Sequence, residues 1–147
     1  MLYLALRPGA SYVPVHEISD KLDVSKHFLA KIIQQLAATG LLRSHRGPNG
    51  GVTLARSADR ILLAQIIEAI DGRKVFESCV LGMPGCGTAT PCPLHDEWGP
   101  ARDRFNDIMH SNSLRDVADR TREKGYRLSS RELFASINFG LMSPDTH

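Results

Sequence analysis

The chain has 147 residues, 42% of them hydrophobic and 23% charged, with a formal net charge of +2. That composition suits a soluble globular fold and excludes a disordered or low-complexity chain. No apolar run approaches a membrane span and the start lacks a secretory signal pattern, so a cytoplasmic protein with no membrane partner is expected.

Residues 2–7 are apolar and read as the end of a helix, interrupted by Pro8, Gly9 and Ala10. Val15, Ile18 and Leu22 repeat at helical spacing and predict a short helix, with Asp23 and Val24 as a tight connection. Ser25 is the residue type that caps a helix start, because its oxygen accepts from a free backbone N–H. In the helix that follows, Leu29, Ile32, Ile33 and Leu36 form one apolar stripe, with His27, Lys31 and Gln34 opposite. Gly40 suits a left-handed stop. Leu41 to His45 and Val52 to Ala55 read as two strands joined by Arg46-Gly47-Pro48-Asn49-Gly50-Gly51. Helix, tight turn, helix and hairpin is the order of a winged helix-turn-helix domain. A helix over Ile61 to Ile70, ended by Gly72, closes it.

Residues 73–92 lose periodicity and read as a loop that packs nothing. Leu94, Trp98, Ala101, Phe105 and Ile108 then predict a long amphipathic helix to about His110, with a kink or fresh start near Gly99 because Pro100 lacks an N–H. Ser113 and Asp116 are spaced as a capping box, which predicts a further short helix. From Arg122 the chain is polar and irregular, apart from an apolar patch over Leu133 to Met142. The fold class expected is mainly α with a small β-hairpin: a winged helix-turn-helix domain (1–72), a cysteine-bearing loop (73–93), a long helix plus a short one (94–121), and a tail (122–147).

Charge is uneven along this order. Residues 1–74 carry ten Lys/Arg against six Asp/Glu, and residues 75–147 carry eight against ten. No acidic residue lies between Asp23 and Asp59, a stretch that holds Lys26, Lys31, Arg43, Arg46 and Arg56 with His27 and His45. An acid-free basic surface is the footprint of a phosphate-binding face. A helix with an apolar back and a carboxylate-free front fits the major groove of double-stranded DNA, where base edges carry a readable pattern. Ser25, Lys26, His27, Lys31 and Gln34 are the candidates there. Arg46, beside a slender turn, suits a narrow minor groove, with Arg43 and Arg56 on phosphates. A winged fold serving protein contacts is the alternative.

The three cysteines are spaced Cys79-x6-Cys86-x5-Cys92, with His95 close behind. An odd, clustered count argues against a disulfide framework and for metal or thiol chemistry. Thiolates bind soft centres, and glycines in the loop free N–H groups to donate to cluster sulfurs. An iron–sulfur cluster, a Cys₃His zinc site and a metal-free thiol switch all fit, although zinc sites more often pair their ligands at shorter spacing. No nucleophile–base pair or phosphate-cradling loop points to an enzyme. An electron carrier would leave the basic helix and hairpin unexplained.

The two constellations in this order resemble the Rrf-type family of winged helix-turn-helix iron–sulfur transcriptional repressors. Carrying the likeness are Val24-Ser25, Gly40-Leu41, the wing Arg46 to Gly51, Leu63-Ala64, Glu68 to Gly72, the three cysteines and the long helix after them, over roughly residues 1 to 120. The resemblance implies a homodimer joined through about Leu94 to His110, a palindromic operator, and a cluster on Cys79, Cys86 and Cys92. His95 matches a histidine ligand known in iron–sulfur-assembly regulators, which favours a 2Fe–2S cluster over a 4Fe–4S one. Asp96 or a residue of a partner subunit are the other candidates for that position. Two departures stand out: much of the family's first helix would precede Met1, and a spacing of six between the first two cysteines is uncommon.

Overall fold

A computed structural model describes residues 1–7, 9, 11–84, 89–126 and 128. Helix α1 spans Leu2–Leu6 and α2 spans Val15–Leu22. Asp23 adopts a left-handed conformation (φ 56°), which turns the chain tightly into α3, Lys26–Ala38. The Ser25 hydroxyl accepts from the Phe28 N–H at 3.1 Å, as its residue type predicts. Gly40 (φ 71°) ends α3, and the Leu41 N–H returns to the Leu36 carbonyl.

Strands β1 (Leu42–His45) and β2 (Gly51–Leu54) pair antiparallel, with Leu42 opposite Leu54 and His45 opposite Gly51. Val13 joins them as a bridge, exchanging both backbone hydrogen bonds with Val52 at 2.9 Å. Gly51 is required by that approach: a Cβ there would lie 2.2 Å from the Val13 carbonyl oxygen.

Helix α4 (Leu63–Asp71) begins two residues later than periodicity suggests. A 3₁₀ turn, Ala58–Arg60, precedes it, and Ile61 and Leu62 are extended, because they pair with the start of α6 (Leu114–Lys124). The Leu114 N–H donates to the Ile61 carbonyl at 2.7 Å, and the Leu63 N–H donates to the Asn112 carbonyl at 3.0 Å. The Ser113–Asp116 capping box forms as expected. One core results. Ile61 is wholly enclosed, and Leu36, Leu41, Val52 and Leu114 are buried around it. Burying each such side chain contributes roughly 1.5–3 kcal/mol.

The segment after α4 differs from the loop that composition suggests. A 3₁₀ turn, Arg73–Phe76, packs the Phe76 ring inward, and Cys79 is also buried. An apolar residue in a polar stretch carries no periodicity, so this packing is invisible to pattern reading. Helix α5 runs unbroken over His95–Ser111 with Pro100 inside it, so no fresh start occurs at Gly99. No residue of α5 is fully buried. Helix α6 continues to Lys124, past the point where irregular chain is expected. The apolar patch over Leu133 to Met142 lies outside the described residues. Among them, no helix is long and apolar enough to cross a membrane.

Candidate functional site

The capped start of α3 presents free backbone N–H groups with no acidic residue in the first turn. This is a positive helix end open to an anion. Ser25, Lys26, His27, Lys31 and Gln34 are all exposed, while Ile33 and Leu36 face the core. Phe28 was not singled out by pattern, yet it is 57% exposed on the same helix. An aromatic ring left in solvent on a polar helix face is suited to apolar contact with a thymine methyl. The signal was present in the sequence: Phe28 falls outside the Leu29–Ile32–Ile33–Leu36 stripe.

The hairpin tip carries Arg46, exposed beyond β1. Gly47 (φ 127°) bends the chain there, and the Gly50 N–H closes the turn on the Gly47 carbonyl at 2.9 Å. Between α3 and the hairpin lies a groove of about 470 Å³ lined by His16, Gln34, His45 and Arg46 among others. No acidic residue is among the described residues that line it. Helix residues from Ala30 to Gln34 and wing residues from Ser44 to Val52 thus share one surface with no carboxylate among its described residues. His16, on α2, joins them only through the fold.

Arg43 and Arg56 are exposed but line a different cavity, which shares no described lining residue with the groove. Arg43 donates to the Ala55 carbonyl at 2.7 Å, and Arg56 donates to Gln65 Oε1 at 2.9 Å.

The cysteine loop meets α5. Cys79 is buried and Cys92 half-buried, and their Sγ atoms lie 3.5 Å apart. Cys86 lies outside the described residues. His95 is in the first turn of α5, its N–H donating to the Cys92 carbonyl at 2.9 Å. Its Nδ1 is buried without a hydrogen-bond partner among the described residues. A buried ring nitrogen left unsatisfied is costly, and a ligand is one way to satisfy it. Among the described residues, no three His, Cys, Asp or Glu side chains converge as a metal-holding group. Two side chains bind the loop to the helix: Trp98 Nε1 donates to the Ser78 carbonyl at 3.1 Å, and Asn106 Nδ2 donates to the Phe76 carbonyl at 3.0 Å. Phe76 also stacks on Phe105, ring centroids 5.5 Å apart, and meets His110 edge-on at 5.1 Å.

The Rrf2 family, described as iron-dependent transcriptional regulators, matches residues 1–120. The chain is 31% identical to the HTH-type transcriptional regulator IscR of Pectobacterium carotovorum, with 96% of this chain and 91% of that one aligned. It is 32% identical to IscR of Xenorhabdus nematophila over the same shares. Among solved structures, CymR, the global cysteine regulator of B. subtilis, superposes with a TM-score of 0.67 at 26% identity, covering 82% of this chain and 88% of that one. IscR of T. potens has the same fold, with a TM-score of 0.66 at 21% identity over 89% and 86% of the two chains.

Proposed function

The chain belongs to the Rrf2 family of transcriptional regulators, and from that premise we propose that it is a homodimeric repressor whose hold on a palindromic operator is set by an iron–sulfur centre. The observation that carries the DNA-reading part is the shared groove: Gln34 of α3 and Arg46 of the wing line one surface free of acidic residues. Gln34 and Phe28 face base edges, Lys31 meets a phosphate, and Arg46 enters the minor groove. Ser25, Lys26 and His27 meet the backbone at the helix start. Arg43 and Arg56 stand behind the wing, where phosphate contact would be peripheral. The exposed side chains of Ile108 on α5 and of Leu94 just before it suit a second copy of the same helix.

Cys79, Cys86 and Cys92 would hold the cluster, with His95 as the fourth ligand. The adjacent thiols and the unsatisfied Nδ1 support that donor set. When bound, such a group supplies a redox- and nitric-oxide-sensitive centre. The chain's own part is transmission. Ser78 adjoins Cys79, and its carbonyl holds Trp98; Phe76, three residues before Cys79, holds Asn106. A shift of the cysteine loop therefore displaces α5. In a dimer joined along α5, that displacement changes the spacing of two α3 helices, which must reach major grooves about 34 Å apart. Two dimer geometries in exchange are sufficient for regulation.

Anaerobically purified protein tests the reading when iron, sulfide, zinc and the visible spectrum are measured together, followed by DNA affinity of the loaded and stripped forms at fixed salt. Iron with matching sulfide, and unequal affinities, are expected. Zinc in place of iron, or equal affinities, would overturn the sensor. The 3.5 Å Cys79–Cys92 separation favours one second reading, a thiol pair that a two-electron oxidant closes to a disulfide with loss of both thiol protons.

A further inference from the structure

Behind the wing, where α1, the hairpin, the Ala58–Arg60 turn and α6 meet, is a cavity of about 630 Å³. Five arginines line it: Arg7, Arg43, Arg56, Arg115 and Arg122. None of the described lining residues is acidic. Three of the five have carboxylates nearby outside the lining. Arg7 pairs with Glu17, Arg122 with Asp119 at 2.8 Å, and Arg115 acts on the Asp59 carboxyl, whose pKa is held low first by the Ser57 hydroxyl and then by its own backbone and by Arg60 and Arg115. Arg43 and Arg56 have no such partner among the described residues; each is steadied by a neutral oxygen and keeps its whole charge.

We propose that this cavity binds a small organic polyanion, one carrying two or more carboxylate or phosphate groups on a short carbon body. A planar guanidinium fork recognises either oxyanion in two parallel hydrogen bonds. Holding both forks by neutral acceptors fixes their aim without neutralising them. The hydroxyl-bearing residues Ser11, Tyr12 and Thr53 also line the cavity, and Leu4, Val13 and Leu54 supply apolar wall for a carbon body. The volume falls in the range of ligand pockets, roughly 300–1,000 Å³. Arg43 and Thr53 are opposite each other in the hairpin, and α6 supplies Arg115 and Arg122. A ligand there would tie the wing to α6, giving the DNA-reading face an input separate from the cysteines.

The full chain is titrated with citrate and, separately, with inorganic phosphate by calorimetry, without DNA. Saturable citrate binding is expected, weakened at least tenfold by Arg43→Gln and by Arg56→Gln and unchanged by Lys31→Gln. Binding to a DNA duplex is measured on the same proteins. Citrate binding that fails to saturate, or that Lys31→Gln weakens as much, would overturn the proposal. So would Arg43→Gln and Arg56→Gln weakening the duplex as much as Lys31→Gln with citrate unbound, which would assign both arginines to DNA phosphates. Should Arg43→Gln unfold by circular dichroism, Arg56→Gln decides, since its described bond is to one side-chain oxygen. The result is independent of the cluster: the titration needs neither iron nor operator.

Discussion

The DNA-reading elements and the cysteine arm are held together by different means. Around Ile61 the chain encloses apolar side chains from α2, α3, the hairpin and α6 in one cluster. Helix α5, the longest in the described structure, buries no residue fully, and the segment carrying Cys79 meets it through the Trp98 and Asn106 hydrogen bonds and the contacts of Phe76 with Phe105 and His110. The first region is specified by its own core. Under the function proposed above, the second would be completed by partners outside the chain, a second subunit and a metal centre. A well-packed reader joined to an arm with few buried side chains is the arrangement a switch needs, since moving elements come from the sparsely packed end of a fold.

The sharpest way to break the contrast is to cut equal apolar mass from each side. Ile61→Ala is expected to cost about 2–5 kcal/mol of unfolding free energy, because it leaves a cavity at the centre of the core. Ile108→Ala, at a 38% exposed position of α5, is expected to leave monomer stability within about 0.5 kcal/mol while weakening self-association. Urea unfolding and sedimentation measure the two. Comparable losses of stability would mean that α5 belongs to the core.

Next in size is the wing. Gly51→Ala places a methyl against the Val13 carbonyl, and relieving it requires one strand to move. A loss of about 1–3 kcal/mol is expected, as for other overpacked sites. Gln34→Ala should reduce discrimination at one base pair by about 1–3 kcal/mol, and Lys31→Ala should weaken all duplexes alike and lower the salt slope by about one. Anisotropy titrations at several salt concentrations separate the two. If both variants behave alike, α3 does not read sequence.

How much of this was legible in the sequence follows the same division. Helix α3, its Ser25 cap, the Gly40 stop and the hairpin are local features, and each is set by residues a few positions apart. The core was legible as stripes but not in its closure. Nothing near Ile61 shows that it pairs with Leu114, because that contact joins segments about fifty residues apart. His16 in the groove and the five arginines in one cavity were hidden for the same reason. The cysteine spacing pointed to a soft centre, whereas the burial of Phe76 and the Trp98–Ser78 hydrogen bond depend on α5 folding back, which no periodicity encodes.

The arm offers a finer test in Trp98→Phe, which keeps the ring and deletes the Nε1 donor to the Ser78 carbonyl. About 0.5–1.5 kcal/mol is expected at most, since that is the net worth of one hydrogen bond. The informative readout is coupling: the difference in DNA affinity between cysteine-loop states should shrink while affinity in the weaker state stays unchanged. A variant that lowers both affinities equally would show that Trp98 is only structural.

The smallest effect concerns acid, and it probes the cap of α6, where α5 ends. Asp116 caps α6 beside the end of α5, and its pKa is held below the ordinary 3.8, chiefly by the Ser113 hydroxyl, then by the Ser113 N–H, with Arg120 adding to the shift. A carboxyl with a lower folded than unfolded pKa binds fewer protons when folded. Its contribution is therefore complete above the unfolded value and is lost as pH falls through the folded one. Asp59, lowered in the same direction at the Ala58–Arg60 turn that packs on α6, adds to the same acid limb. Unfolding followed by circular dichroism from about pH 6 down to about pH 2 should thus show stability falling below roughly pH 4, the ordinary carboxyl range. Asp116→Asn should flatten part of that limb while leaving the slope above pH 5 unchanged. An identical acid limb in the variant would mean that the capping carboxylate contributes nothing to acid stability.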